Sequence, residues 1–218
     1  MPKKRFVVVG LGNFGFSVAT SLREMGHAVV ALDTSREKVE KIANVVERAI
    51  VGDATEPRVL EEVGAGEADA GIVSTGRDIT ASVLTTLALR DLGIDEIYVK
   101  VISDLHARIL DKVGVAETIF PEREAAQLLA KRAASRSVLK YVELGPGFSV
   151  EELVVRPEWI GKTLRQLELR RRFEVSVVAV RDYLSESTRP VPDPDAPLKD
   201  SDTLFVAGTD EALAKLVD

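Results

Sequence analysis

The sequence predicts an α/β protein in which a Rossmann-like, doubly wound parallel sheet is followed by a small α+β C-terminal lobe. Over residues 5–120, short apolar runs rich in Val and Ile alternate with helical patterns. Nearly continuous apolar runs are typical of parallel strands buried on both faces, and strand–helix alternation is typical of a parallel sheet. A glycine-rich turn follows the first run, and the order of the elements changes after Phe120. These three observations define the fold class.

The apolar runs and the patterns between them predict the elements in order. Strands are expected at residues 5–10, 27–33, 48–53, 70–75, 96–101 and 117–120. Helices are expected at 14–25, 36–44, 56–63, 78–92 and 104–113. Pro121 occupies a helix-opening position, from which a helix runs to about Ser137. The last part is predicted as a break at 145–148, strand 150–156, helix 157–172, strand 173–181, a proline-rich loop at 185–197, strand 203–207 and helix 209–217. Two domains are therefore expected, residues 1–138 and 139–218.

Composition and charge exclude several classes of protein. Of the 218 residues, 45% are hydrophobic and 29% charged, which is an ordinary globular composition. The absence of cysteine excludes disulfides and thiolate metal sites and agrees with a cytoplasmic protein. A net charge of −6 without a basic stripe argues against binding to nucleic acid or to an anionic membrane. No apolar run approaches the roughly 20 residues that span a bilayer, so no direct membrane insertion is expected.

Gly10, Gly12 and Gly15 form a G-x-G-x-x-G motif between the first predicted strand and the first predicted helix. In this context the first glycine permits a tight turn, the second lets backbone N–H groups approach a phosphate, and the third allows the helix to pack closely on the strand. Asp33 ends the second strand, where a carboxylate accepts hydrogen bonds from ribose hydroxyls and repels a 2′-phosphate. The motif predicts a bound nucleotide other than NADP. A purely structural glycine turn is the alternative.

Two further residues lie at the carboxyl ends of predicted strands, where ligands gather in a doubly wound sheet. Asp53 follows the third strand and can meet an adenine edge; the alternative is that it caps the helix at 56–63. Lys100 lies near the end of the fifth strand. A lysine in an apolar strand requires an anionic neighbour, either a phosphate or a carboxylate. Arg77, in the loop after the fourth strand, is expected to be solvated.

No constellation of catalytic residues is apparent, and the chain is predicted not to be an enzyme. His27 and His106 are not spaced as members of a triad or a metal site, and both are expected to be structural or on the surface. The sequence contains no G-x-S-x-G and no H-E-x-x-H motif. The alternative is a small NAD-dependent oxidoreductase, for which Tyr98 is the candidate acid or base near the nicotinamide.

Four stretches of the chain, in this order, resemble the RCK (regulator of K⁺ conductance) domain, and more narrowly the stand-alone cytosolic subunits of Ktr/Trk potassium transporters. The stretches are VVVGLGNFGFSVATSLREMGHAVVALD, VGDATEPRVLEEVGA, STGRDITASVLTTLALRDLG and VKVISDLHARILDKVGV. The tail from residue 150 is similar to the small C-terminal lobe of that family. The resemblance extends over nearly all of residues 5–218.

The resemblance implies a nucleotide-sensing regulatory subunit. Family members pair through the helices after the sixth strand as homodimers and assemble into octameric rings. The ring docks on a membrane-embedded potassium-translocating subunit and gates its pore in response to ATP, ADP or NAD(H). Such a subunit is cytoplasmic and lies at the inner face of the cell membrane through its partner. The same domain pair also regulates other transporters, which is a further alternative.

The resemblance also implies roles for individual residues. The implied contacts are Gly10, Gly12 and Gly15 with the phosphates, Asp33 with the ribose, Asp53 and Ala54 with the adenine, and Lys100 with a phosphate. Asn13 and Phe14, within the same glycine motif, are also expected to bind the nucleotide. Glu122 matches an acidic residue that helps to hold a cation near the phosphates between subunits. The alternative for Glu122 is a carboxylate favoured by the N-terminus of its helix.

Asn13 departs from the family pattern, which has an arginine there that reaches the terminal phosphate of the nucleotide in the neighbouring subunit. Asparagine carries no charge, so a charge-assisted contact of about 1.5–3 kcal/mol is missing. A strong preference for ATP is therefore not expected, and ADP, AMP or NAD(H) are expected instead, unless another cation such as Arg77 or Lys100 substitutes. Some family members bind cyclic di-AMP between paired C-terminal lobes, and Arg170, Arg171 and Arg172 would lie near such a site. A charged helix end is the alternative for the three arginines.

Overall fold

The computed structural model describes residues 2–76, 78–134 and 138–217. The chain divides into two compact units, Met1–Glu122 and Arg123–Asp218. Arg77 and the expected helix end at Ser137 lie outside the described residues. The sequence analysis places the domain boundary after residue 138 instead, which assigns the helix that follows Phe120 to the first domain; that assignment stays a prediction.

A six-stranded parallel sheet forms the first unit, as the sequence predicts. Its strands are β1 (Arg5–Val9), β2 (Ala28–Asp33), β3 (Arg48–Val51), β4 (Ala70–Val73), β5 (Glu96–Lys100) and β6 (Glu117–Ile119), in the order β3-β2-β1-β4-β5-β6. Its helices are α1 (Asn13–Glu24), α2 (Arg36–Ile42), α3 (Pro57–Glu62), α4 (Ile79–Asp91) and α5 (Asp104–Val113). The direction of winding changes between β1 and β4, and in such sheets a crevice opens at the carboxyl ends of these strands.

Alternate side chains of the central strands enter two separate cores, one on each face of this sheet. Val7 and Val9 of β1 belong to one core and Val8 to the other. This alternation is what a parallel strand covered on both faces requires. The expectation that every strand is buried on both faces is wrong for β3, where Arg48 and Val51 are exposed. The reason is that β3 lies at the edge of the sheet, which the apolar run does not reveal.

The second unit contains an antiparallel sheet with short helices. After α6 (Pro121–Ala134), the strands are β7 (Val138–Gly145), β8 (Phe148–Val154), β9 (Ser176–Asp182), β10 (Ser187–Arg189) and β11 (Asp202–Thr209), in the order β10-β9-β11-β8-β7. The helices are α7 (Leu164–Leu167), α8 (Leu169–Phe173) and α9 (Asp210–Val217). Leu204, Leu213 and Trp159, the single tryptophan of the chain, lie in its core.

Three expectations for the second unit need correction. The sequence analysis places no strand at 138–145, where β7 forms a hairpin with β8. The pattern of β7 continues a helical stretch, and its strand conformation depends on pairing with residues that come later in the chain. The expected helix at 157–172 is a 3₁₀ turn at Pro157–Trp159 followed by α7 and α8, which are separated by Glu168 at φ 47°. The proline-rich loop contains the short strand β10.

The glycine turn after β1 packs tightly against the end of β4. Gly10 has φ +89°, and a Cβ atom there would lie 2.1 Å from the Ser74 carbonyl oxygen. A Cβ atom at Gly15 would lie 1.9 Å from the Gly10 carbonyl oxygen. Gly12 differs, because its φ is −68° and a Cβ atom there would meet nothing within 4 Å. The first and third glycines therefore fix α1 against the sheet, and the second faces open space.

We expect Gly10→Ala to destabilise the protein by at least about 2 kcal/mol, because the alanine would need both an unfavourable φ and displacement of the Ser74 backbone. Gly12→Ala is the matched control and should leave the free energy of unfolding within about 1 kcal/mol of the wild type. Urea unfolding followed by circular dichroism measures both. Equal stabilities of the two variants would contradict the packing described for the turn.

Two buried carboxylates hold the segment between β10 and β11. Asp182 accepts hydrogen bonds from the Lys199 ammonium at 3.0 Å and from the Leu184 N–H at 3.0 Å, and the Ser201 hydroxyl is a further donor. The hydrogen bond from Lys199 is the main cause that lowers the pKa of Asp182 from 3.8 to about 2. Asp202 accepts from Arg189 at 3.0 Å. Hydrogen bonds to these two carboxylates therefore stabilise the loop, in which the sequence shows only a high proline content.

The lowered pKa of Asp182 predicts how the stability of the second unit depends on pH. Because the folded pKa lies below the unfolded one, the contribution of Asp182 is complete above about pH 4 and is lost as the pH falls from 3.8 through about 2. Asp182→Asn should be less stable than the wild type at pH 7, and this difference should vanish near pH 2. Trp159 fluorescence during urea unfolding reports it. Asp200→Asn, at an exposed carboxylate nearby, is the control; a pH-independent difference for Asp182→Asn would contradict the assignment.

Among the residues that the structure describes, no helix is both long enough and apolar enough to cross a membrane.

Candidate functional site

A cavity of about 500 Å³ lies at the carboxyl ends of β1, β2, β3 and β4. This volume is within the range of small-molecule sites, and the position is the crevice that the change of winding creates. The described lining residues are Val9, Gly10, Gly12, Asp33, Thr34, Lys38, Gly52, Asp53, Ala54, Thr55, Ser74, Thr75, Gly76, Asp78, Thr80, Ala81, Leu84 and Thr85. Five residues that the sequence analysis singles out therefore meet in one cavity: Gly10, Gly12, Asp33, Asp53 and Ala54.

Asp33 connects the end of β2 to the glycine turn. One carboxylate oxygen accepts from the Leu11 N–H at 2.7 Å, and the other accepts from the Ser35 N–H at 2.8 Å. The Lys38 ammonium lies 3.1 and 3.3 Å from the two oxygens. Burial raises the pKa of Asp33, but the two N–H groups and Lys38 outweigh this effect and leave the pKa below its ordinary value. Asp33 is therefore ionised at neutral pH, with acceptor capacity for a ribose.

Helix α1 begins at the cavity with its N-terminus uncapped by any side chain. Its N-cap is Gly12, whose backbone is extended and which has no side chain to bind the first N–H groups. Helices α4 and α5 contrast with it, because Asp78 and Ser103 accept hydrogen bonds from the first turns of those helices. Unclaimed N–H groups and the helix dipole favour an anion at the start of α1.

Asp53 closes a turn at the end of β3 and does not cap the following helix. Its Oδ1 accepts from the Thr55 N–H at 2.9 Å and from the Thr55 hydroxyl at 2.7 Å. The N-cap of α3 is Glu56, which makes no capping hydrogen bond with its side chain. The Thr55 N–H is the main cause that holds the pKa of Asp53 below its ordinary value. The exposed carboxylate thus borders the cavity as an anion, beside the buried Ala54.

The remaining residues of the glycine motif face other parts of the first unit. Asn13 is exposed and borders a groove outside the cavity, together with Ser17 and Lys41. Phe14 lines a small apolar groove of about 270 Å³ with Tyr98. Gly15 is buried against Gly10. Of the residues of the motif, Gly10 and Gly12 therefore line the cavity, whereas Asn13, Phe14 and Gly15 do not.

Lys100 has a carboxylate as its neighbour, which is one of the two alternatives that the sequence leaves open. Its ammonium contacts Glu122 at the start of α6. The Lys100 side chain is 15% exposed and that of Glu122 is 71% exposed, so the pair lies at the surface. The hydrogen bond from Lys100 is the main cause that lowers the pKa of Glu122. Neither residue lines the cavity, and the described residues contain no group of three His, Cys, Asp or Glu side chains arranged for a metal ion.

The sequence analysis misses several residues of the cavity wall. Lys38 comes five residues after Asp33, and only the turn of α2 brings it back to that carboxylate. Asp78 accepts from the Ala81 N–H at 2.9 Å as the N-cap of α4. Thr85 is fully buried in the second turn of α4. For the α4 residues, the sequence indicates only that their helix follows the end of β4 and therefore begins near the cavity. Which of its residues face the cavity depends on the rotation of the helix about its axis, and no sequence motif shows that rotation.

The histidines and the tyrosine lie away from the cavity. His27 packs against Phe6, with ring centroids 5.3 Å apart, and accepts from the Lys4 N–H. His106 is buried, which lowers the pKa of its imidazole, and neither ring nitrogen has a hydrogen-bond partner among the described residues. Tyr98 lines the apolar groove beside Phe14. These positions match the expectation of structural roles for the histidines, although His106 is not on the surface.

A second groove, of about 380 Å³, lies in the second unit. It is lined mainly by apolar residues from α7 to β9 and from the proline-rich loop, and Arg170 is its charged member. Arg171 pairs with Glu168 at 3.2 Å, and the Arg172 guanidinium lies 5.2 Å from the centre of the Phe173 ring. Of the three consecutive arginines, one therefore borders the groove and two have neighbours elsewhere on α8.

Comparison with known proteins places the chain in a family. The TrkA-N domain matches residues 6–121, and the TrkA-C domain matches residues 150–218. The Ktr system potassium uptake protein C of Bacillus subtilis is 38% identical over 82% of this chain and 81% of its own length. The Ktr system potassium uptake protein A of Vibrio alginolyticus is 32% identical over 97% of this chain and 95% of its own length.

The fold is shared with a solved channel. The structure of the GsuK channel bound to NAD superposes with a TM-score of 0.65 at 19% identity over 99% of this chain, which spans 39% of the channel chain. The same channel has also been solved with ADP, with a TM-score of 0.51 over 59% of this chain and 33% of the channel chain. The matched domains and the identities to the two uptake proteins confirm the resemblance: this chain belongs to the TrkA-N/TrkA-C family that includes the Ktr system potassium uptake proteins.

Proposed function

We propose that the chain is a nucleotide-sensing regulatory subunit that gates a membrane potassium transporter from its cytoplasmic side. The cavity at the carboxyl ends of the strands carries this proposal, because it combines an uncapped helix N-terminus with the ionised Asp33. These are the two features that bind the phosphates and the ribose of a nucleotide. The names of the Ktr relatives indicate which process the subunit would regulate, namely potassium uptake.

The ligands that we propose are ADP and ATP, with NAD(H) as the alternative. The NAD- and ADP-bound forms of the GsuK channel are consistent with both. Among the described lining residues, three carboxylates (Asp33, Asp53 and Asp78) stand against one ammonium, that of Lys38. A cavity of this charge holds a ribose and a base more readily than a triphosphate, unless cations come from elsewhere. Asn13 supplies none, so we do not expect a strong preference for ATP.

In this proposal the nucleotide is a signal and is not chemically changed. A ligand shifts an assembly toward one shape only to the extent that it binds that shape more tightly. The rival function is a small NAD-dependent oxidoreductase, whose candidate Tyr98 lines the apolar groove instead of the cavity. A change of NADH absorbance during incubation with candidate substrates would favour the rival. Regulation of a transporter for another ion remains the further alternative.

Asp33→Asn tests the nucleotide site. The substitution keeps the shape of the side chain but removes the charge and one of the two strong acceptors, so we expect the Kd for ADP and for NAD⁺ to rise at least about tenfold. Asp33→Ala is a poorer test, because it would leave both the Leu11 N–H and the Ser35 N–H without an acceptor, whereas asparagine keeps one acceptor oxygen. Isothermal titration calorimetry measures the affinities, and circular dichroism verifies the fold.

Glu37→Gln is the matched control for Asp33→Asn. It removes a carboxylate from the same region, but Glu37 pairs with Lys41 and borders the groove outside the cavity. Its affinities should equal those of the wild type. A thermal-shift panel of ATP, ADP, AMP, NAD⁺, NADH and NADP⁺ accompanies the titrations, since a ligand at about 100 times its Kd adds roughly 2.7 kcal/mol to the folded state. Unchanged binding in Asp33→Asn would contradict the ribose assignment, and no shift with any nucleotide would contradict the function.

We further propose that the chain forms homodimers that assemble into an octameric ring. Helix α6 supports pairing, because all its described side chains from Glu122 to Ala130 are exposed and Leu129 is 64% exposed. An isolated helix of 14 residues is marginal in water without packing. A second apolar surface on α4 and α5 includes Leu87, Leu105 and Ile109, all exposed. Two separate apolar surfaces on one chain are what a closed ring requires.

Leu129→Glu should lower the mass of the assembly in multi-angle light scattering, because a charge in an apolar interface is strongly unfavourable. Leu105→Glu on the second surface should also lower it. The control is Met25→Glu, since Met25 is 71% exposed at the end of α1, which belongs to neither surface. A wild-type mass equal to one 23.7 kDa subunit would contradict the assembly.

The cation proposed near Glu122 requires ligands beyond this chain. The Glu122 carboxylate already contacts Lys100, and a single carboxylate does not make a divalent-cation site. Phosphate oxygens and a second subunit would have to complete the coordination. Glu122 is thus proposed as a member of a shared site that forms only in the loaded assembly.

The groove in the second unit is the proposed receptor for cyclic di-AMP. Its apolar lining suits a base, and Arg170 suits a phosphate. Cyclic di-AMP therefore joins the thermal-shift panel. A shift that is retained in Asp33→Asn would support a site separate from the cavity of the first unit, and a shift that is lost in that variant would contradict it.

A further inference from the structure

Thr85 is a polar residue of the cavity wall whose hydroxyl forms no hydrogen bond within the described part of the chain. The residue is fully buried on α4 and lines the cavity beside Ala81 and Leu84. Its Oγ1 atom has no hydrogen-bond partner among the described residues. A buried hydroxyl without a partner costs about 1–3 kcal/mol, so such a group in a folded protein calls for a physical reason.

Two other threonines in helices form a hydrogen bond to the backbone that Thr85 does not form. The Thr86 hydroxyl donates to the Ser82 carbonyl oxygen at 2.8 Å, and the Thr20 hydroxyl donates to the Phe16 carbonyl oxygen at 3.0 Å. Both are bonds to the residue four positions earlier, which a threonine in a helix makes readily. Thr85 has the same backbone opportunity and does not use it. Its hydroxyl is therefore free for a group outside the protein.

The position of Thr85 within the cavity identifies the part of the ligand that it can reach. The glycine turn and the start of α1 lie where the phosphates bind, and Asp33 lies where the ribose binds. The segment Gly52–Thr55 and the α4 residues Thr80–Thr85 form the rest of the described wall. The base of the nucleotide is the remaining part of the ligand, so it lies against this wall.

The Thr85 hydroxyl is buried in the structure, and rotation about one bond changes the direction in which it points. Threonine in a helix divides its population between two χ1 rotamers, and exchange between them swaps the methyl group and the hydroxyl. A hydroxyl is both donor and acceptor. It can therefore pair with either an amino group or a ring nitrogen at the edge of a purine.

We propose that Thr85 determines base selectivity: its hydroxyl makes a hydrogen bond to the polar edge of the nucleotide's base. The inference rests on the proposed function, because it names a further contact within the same nucleotide site. It also accounts for the hydroxyl that has no partner among the described residues, because the base supplies one.

Thr85→Val tests the proposal, because valine has the same shape and only the hydroxyl is lost. We expect the Kd for ADP to rise about 3- to 10-fold, the range for one neutral hydrogen bond. The Tm of the unliganded variant should equal or exceed that of the wild type, since no bond within the protein is lost. Calorimetric titration with ADP and a thermal scan without ligand measure the two quantities.

Thr86→Val is the control on the neighbouring residue. It loses the bond to the Ser82 carbonyl, so its Tm should fall while its Kd for ADP stays at the wild-type value. Ribose 5-phosphate, measured by competition with ADP, is the ligand control, and Thr85→Val should bind it as the wild type does because it carries no base.

Four outcomes would overturn the assignment. If wild-type protein binds ADP and Thr85→Val binds it equally or more tightly, the base contact is wrong and the nucleotide site stands. A lower Tm of unliganded Thr85→Val would show that the hydroxyl has a structural partner. An equal loss of affinity for ribose 5-phosphate would move the contact to the sugar. Wild-type protein that binds neither ADP nor NAD⁺ would overturn both the contact and the proposed function.

Discussion

The carboxylate of Asp33 is the interaction on which the site depends. It joins the end of β2 to the glycine turn through the Leu11 N–H and to the start of α2 through the Ser35 N–H. The Gly10 N–H in turn donates to the Leu32 carbonyl at 2.8 Å, which holds the same two segments together on the backbone. One charged group thus orders the loops around the cavity before any ligand arrives, and the same group is the proposed ribose acceptor. Preorganisation of this kind reduces the entropy that binding must overcome.

The parallel sheet is predictable from the sequence because its determinants are local, whereas the antiparallel sheet is not. In β1 and β2 the apolar runs at residues 6–9 and 28–32 are long enough to identify strands covered on both faces, and Gly10 marks the turn after β1. Strand β7 lacks such a signal, since its sequence continues the helical pattern before it and its strand conformation depends on pairing with β8. The edge position of β3 is equally invisible, because it follows from the order of the strands and not from their composition.

The residues of the cavity also divide into those that the sequence predicts and those that it does not. The cavity residues that the sequence predicts lie at strand ends: Gly10, Gly12, Asp33, Asp53 and Ala54. The topology of a doubly wound sheet brings strand ends together, independently of how the helices pack. Lys38 and Thr85 lie on helices, and whether they reach the cavity depends on the phase of each helix relative to the sheet. For Lys100 the sequence correctly requires an anion but cannot choose between a phosphate and a carboxylate, because Glu122 is 22 residues away in the chain.

The balance of charged side chains in the cavity wall bears on the proposed regulation. Within the described wall, the ammonium of Lys38 lies against Asp33, which leaves Asp53 and Asp78 without a cationic partner there. The N-terminus of α1 is then the main attraction that one chain offers to phosphates, and it is equivalent to about half a charge. Each added phosphate increases the need for cations, and the described wall of the cavity supplies none besides Lys38. In the proposed assembly, a neighbouring subunit or a bound metal would supply these cations. The assembly would then sense the number of phosphates, which is the differential affinity that the proposed gating requires.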